Sequence, residues 1–93
     1  MHDREEMVEF SRALERRAKE IEAPFEWRVS PPIYGYDRKK KERFLMVTLS
    51  WWDGIHGQHL TFYEPYEDLD WPFELLYKHW ELSKPFFEEE EKC

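Results

Sequence analysis

Cysteine occurs once in this 93-residue chain, as its last residue, so no disulfide can form within one copy. That excludes a disulfide-stapled scaffold, and a reducing compartment is the fitting one. Asparagine is absent, glutamine occurs once and 38% of residues are charged, a composition that leans towards a thermophilic source. Three glycines, all read as lying beside turns, leave no glycine-rich loop to cradle a phosphate. No apolar run reaches the roughly 20 residues a membrane helix needs. The opening Met1-His2-Asp3-Arg4-Glu5-Glu6 lacks the apolar segment of a secretory signal. The expectation is a soluble chain in the cytoplasm, that of a host cell if the protein is viral, with no membrane partner.

Aromatic side chains and charge are what the chain has in excess. There are seventeen aromatics, twelve of them between Phe44 and Phe87. In one small domain most of these belong in the core, where bulk compensates for limited volume, and the rest form contact surface. Charge is unevenly placed. Residues 1–63 carry eleven acids and eleven bases, while residues 64–93 carry ten acids and three bases, so the last third holds the entire net charge of −7. Inside the balanced part, residues 37–43 hold five bases against two acids, a basic loop.

The central stretch is residues 43–63, two apolar runs separated by Asp53-Gly54-Ile55-His56 and read as a β-hairpin. The first run is apolar on both faces, the pattern of a strand central in its sheet. Putting Leu60 and Phe62 on the face of Leu49 and Val47 requires Leu49 opposite Leu60 and Val47 opposite Phe62. One residue of slip would reverse the faces. Before the hairpin, Met7, Phe10, Leu14, Ala18 and Ile21 recur at helical spacing behind an Asp3 cap, giving a helix over 3–22 that Pro24 stops. Phe25, Trp27 and Val29 alternate with polar residues in an edge strand over 25–30 that Pro31-Pro32 end. A short extended continuation at Ile33-Tyr34-Gly35-Tyr36 is also readable.

Strands are expected over 25–30, 43–52 and 58–63. A second helix over 71–83 follows, with Asp70 as cap and Phe73, Leu76, Tyr77 and Trp80 on its core side. It is expected to end near Ser83-Lys84-Pro85, leaving a frayed acidic tail over 88–93. The fold class is α+β in the order α-β-β-β-α, a single domain with a three-stranded antiparallel sheet and two helices on one face.

The sequence points to no catalytic residue, no metal site and no cofactor. His56 and His59 stand three apart across the turn without a second ligand pair. No Ser, Thr or Cys sits in a nucleophile signature, and paired carboxylates are abundant only because acids are abundant. An enzyme is not expected.

Two binding readings have residues behind them. Glu64, Glu67, Asp68, Asp70, Glu74 and Glu81 surround the second helix, with Tyr66 and Trp71 among them. Acids spaced along a helix beside aromatic anchors can occupy a positive groove that otherwise holds a nucleic-acid backbone. The expected function is therefore a small acidic protein-binding module, an inhibitor of a larger basic partner such as a nucleic-acid enzyme. Nucleic-acid mimics and phage anti-defence proteins, anti-CRISPR proteins among them, are the functional analogy. The alternative is RNA or DNA binding through Arg38, Lys39, Lys40, Lys41 and Arg43 beside Tyr34 and Tyr36. The element order is similar to that of double-stranded RNA-binding domains. Where those open their last helix with lysines, however, this chain has Asp68, Asp70 and Glu74, which repel phosphate. A self-associating adaptor, a homodimer through the aromatic sheet face or a strand edge, is the third reading.

Overall fold

The structure is a computed structural model that describes the backbone of residues 3–91 and the side chains of residues 3–86. Helix α1 (Arg4–Glu20) begins at the expected cap. Asp3 is extended, and its Oδ1 accepts the Glu6 N–H at 2.9 Å, satisfying one of the donors that a first helical turn leaves open. The helix buries Met7, Phe10 and Leu14.

Strand β3 (Glu42–Trp52) buries Leu45, Val47, Leu49 and Trp51 and leaves the alternate residues partly or fully exposed. Strand β4 (Gly57–Phe62) pairs with it antiparallel, placing Leu49 opposite Leu60 and Val47 opposite Phe62, the register the apolar pattern requires. Asp53 closes the turn between them. Its Oδ1 accepts the N–H groups of Ile55, at 2.9 Å, and His56.

The opposite edge of β3 departs from expectation, and the sheet has four strands where three were expected. Strand β1 (Glu26–Val29) pairs with residues 49–52 of β3, and strand β2 (Ile33–Asp37) pairs with residues 42–46. Only Ser30-Pro31-Pro32 joins them, so both lie along one edge. From the Val29–Leu49 pair to the Ile33–Met46 pair, the edge advances four residues while β3 advances three, which is a β-bulge. The first edge strand ends before the prolines, as expected, but pairing with β3 resumes beyond them as β2.

Ser30 makes the interruption tolerable. Its N–H donates to the Thr48 carbonyl at 2.9 Å. Its hydroxyl, in place of its carbonyl, accepts the Thr48 N–H at 2.9 Å. The displaced carbonyl accepts the hydroxyl of Ser11 on α1 at 2.8 Å. The basic loop is accordingly shorter than expected. Asp37, Glu42 and Arg43 are strand residues, and only 38–41 form the turn, capped by Asp37 Oδ1 on the N–H groups of Lys39 and Lys40.

Both helices cover the Val47/Leu49/Trp51 face. Phe10 meets Phe62 edge-on at 5.2 Å between centroids, and Phe73 of the second helix meets Trp27 at 4.9 Å. Phe25 closes the far end of the core against Trp27, Trp51, Tyr77 and Trp80 at 4.8 to 5.5 Å.

Helix α2 (Asp70–Glu91) corrects two expectations. Its opening N–H groups, those of Asp70 and Trp71, donate to Asp68 Oδ1 at 3.0 and 3.2 Å, so Asp68 and not Asp70 is the capping side chain. Nor does it stop at Pro85. Proline withholds the N–H that would bond the Glu81 carbonyl, but Glu81 faces solvent, where water can accept that role. The expected acidic tail is helical in backbone as far as Glu91, while Lys92 and Cys93 lie outside the described residues. Among the described residues no helix is long and apolar enough to cross a membrane.

Candidate protein-docking surface

The segment between β4 and α2 carries the aromatic residues singled out in the sequence, and the core fixes them there. Tyr66 packs on Phe62 at 6.2 Å and on Trp71 at 5.3 Å, with the last two rings inclined by 35°. Phe62 in turn is held by Phe10. A continuous line of rings thus runs from buried Phe10 to a solvent-facing pair in which Tyr66 is 43% and Trp71 40% exposed. Rings held this way lose little conformational freedom on binding, the property of an interface anchor.

The carboxylates around this pair divide into two groups. Asp68 caps α2. Asp70 Oδ1 meets Arg17 Nε at 2.6 Å, and Arg17 Nη1 also reaches Glu20 Oε2 at 2.8 Å. The hydrogen bond to Asp70, then that to Glu20, raise the Arg17 pKa further above its ordinary value. These two acids serve α2 and its junction with α1. Glu64, Glu67, Glu74 and Glu81 are exposed. Among the described residues no ion pair involves Glu67, Glu74 or Glu81. All six carboxylates of the set read from the sequence are exposed, with Asp68 also capping α2 and Asp70 also paired with Arg17.

Acidic and basic regions also meet. Tyr63, next to Glu64, stands edge-on to Phe44 at 5.5 Å and shares a shallow hollow with Lys40 and Arg43. The acidic segment consequently starts beside the basic turn. Arg38, Lys39, Lys40 and Lys41 occupy the tip of the β2–β3 hairpin, with Lys41 in the left-handed region at φ 56°. Arg43 pairs with Tyr36, and Leu45 with Tyr34, which puts both tyrosines and Arg43 on one face; Tyr34 and Tyr36 are 57% and 58% exposed.

The face of the sheet away from the helices displays Arg28, Met46, Thr48, Ser50, Trp52, Thr61 and Tyr63, as the alternation requires. Two rings lie across glycines there. Phe44 covers Gly35 in mid-strand, where any Cβ would collide with it, and Trp52 covers Gly57 while Arg28 stands 5.8 Å above the Trp52 ring. His59 lies on this face opposite Ser50, whereas His56 Nδ1 is 3.7 Å from Asp53 Oδ2 in the turn. Among the described residues no three His, Cys, Asp or Glu side chains are grouped to hold a metal ion.

One feature was not read from the sequence. Leu75 and Leu82 of α2 face solvent with Trp71 and Phe86, at 39% and 66% exposure. Their spacing from Trp71 was the available signal. Comparison with protein-family models, curated proteins and solved structures finds no match for this chain.

Proposed function

We propose that this protein is a small binding module without catalytic activity of its own, which docks on a larger, basic protein through the opening of α2. The observation that carries this reading is the Tyr66–Trp71 pair, rooted in the core and half exposed, with Glu67 and Glu74 close by in sequence and in no ion pair among the described residues. The rings supply contact energy and the carboxylates supply orientation and encounter rate. A groove that otherwise holds a nucleic-acid backbone has the matching charge, so inhibition of a nucleic-acid enzyme is the activity that fits.

The test is capture from extract of the native host on immobilised wild-type chain and on Glu67→Gln/Glu74→Gln/Glu81→Gln, a variant that leaves the Asp68 cap and the Asp70–Arg17 pair in place. A basic protein retained by the wild type, lost from the variant and released as salt rises supports the reading. Recovery of nucleic acid alone overturns it. A second reading rests on the exposed Tyr34 and Tyr36 beside Arg43, a stacking surface next to phosphate-binding cations. On that reading, neutralising Lys39, Lys40 and Lys41 abolishes binding to single-stranded RNA or DNA and flattens its salt dependence.

A further inference from the structure

Helix α2 has two apolar sides. One holds Phe73, Leu76, Tyr77 and Trp80 against the core. On the other, Trp71, Leu75, Leu82 and Phe86 follow one another at intervals of four, seven and four residues, and remain 40%, 39%, 66% and 67% exposed. At about 100° per residue these four fall within roughly 60° of one another around the axis, opposite the core stripe. Lys78 occupies the gap in the line. The resulting four-three-four spacing is that of a seam between helices that pack along their length.

The borders of the seam decide what can cover it. Glu74 and Glu81 run along one border and His79 along the other. A second copy docked antiparallel would set Glu74 and Glu81 against themselves, in a chain whose net charge is −7. A second copy docked parallel would face the glutamates with the His79 border, which holds no Lys or Arg. A helix with an apolar stripe bordered by lysine or arginine meets both requirements at once.

We propose that the outward face of α2 seats an amphipathic helix of the partner protein. Its apolar stripe would lie on Trp71, Leu75, Leu82 and Phe86, with basic residues along Glu74 and Glu81. This rests on the docking reading above and specifies the partner segment. It also extends the site four turns beyond the Tyr66–Trp71 pair.

The experiment uses the full chain and two labelled peptides of about three heptads, both with lysine at the bordering positions. One carries leucine at the seam positions and the other serine, and binding is read by fluorescence anisotropy. The leucine peptide should bind at least about tenfold more tightly than the serine peptide. Leu75→Ser/Leu82→Ser, which leaves the charge unchanged, should remove that advantage without altering the circular dichroism spectrum. Equal binding of both peptides overturns the helix seat while leaving acidic docking standing. Failure of both to bind overturns the seat, and acidic docking is then judged by the capture experiment alone. Sedimentation showing a wild-type dimer that the double variant abolishes overturns the proposal in favour of a second copy.

Discussion

At residue scale, Ser30 and Ser11 do the work that Pro31 and Pro32 undo. The bulge turns the Ser30 carbonyl out of the ladder, and the buried Ser11 hydroxyl is the donor that receives it at the margin of the core. Ser11→Ala should therefore cost about 0.5–1.5 kcal/mol, the net worth of one hydrogen bond, where an exposed serine would cost almost nothing. Urea denaturation measures it, and an unchanged midpoint contradicts the role. Phe25 is the second such residue, touching four rings from both the sheet and α2. Phe25→Ala should cost about 3–5 kcal/mol, and loosening should show first as faster amide exchange around Tyr77 and Trp80.

Asp53 supplies a pH prediction. Partial burial pushes its carboxyl up, but hydrogen bonds from the backbone N–H groups of His56 and Ile55 outweigh this and hold it below the ordinary 3.8. The turn's contribution is then complete above that value and is lost as pH falls through the lowered one. A carboxyl titration by NMR checks it, and Asp53 titrating at or above 3.8 contradicts it.

At element scale, the hairpin and the first edge strand were legible, and what was not was that the extended stretch after the prolines pairs with β3 as a fourth strand. In β4, Leu60 and Phe62 alternate with His59 and Thr61, so only the Leu49–Leu60 register puts both apolar side chains on the core face. Pro31-Pro32 carry a generic signal, loss of donors, which reads as a strand end unless a nearby side chain compensates. Ser30 does so only through Ser11, nineteen residues away in sequence. Helix α2 shows the same limit at both ends. Asp68 and Asp70 are both competent caps by type, and the pairing of Asp70 with Arg17, a tertiary contact, leaves the cap to Asp68. Pro85 reads as a stop, yet the helix continues through it, and Glu81, the residue four positions back, is exposed. Since an interior proline costs about 3 kcal/mol relative to alanine, Pro85→Ala should raise both the helical circular dichroism signal and the melting temperature. No gain in either contradicts a helix that is continuous through residue 85.

At the scale of the molecule, the split between a neutral 63 residues and a final 30 carrying −7 was visible in the sequence, but its disposition in space was not. The acidic segment leaves β4 beside the basic hairpin tip. Asp68 caps α2 and Asp70 pairs with Arg17, and the apolar line on the outer side of α2 runs alongside Glu74 and Glu81. These are properties of packing that composition does not carry. The docking surface we propose follows the outer side of α2, where Trp71, the seam, Glu74 and Glu81 lie.

The affinity of the captured partner, measured for the wild type and for Glu67→Gln/Glu74→Gln/Glu81→Gln at low and high salt, tests that surface most directly. Docking through α2 predicts tight wild-type binding that weakens as salt rises, and weak binding by the variant at both concentrations. Equal affinities for the two chains, or loss on neutralising Lys39, Lys40 and Lys41 instead, would contradict it.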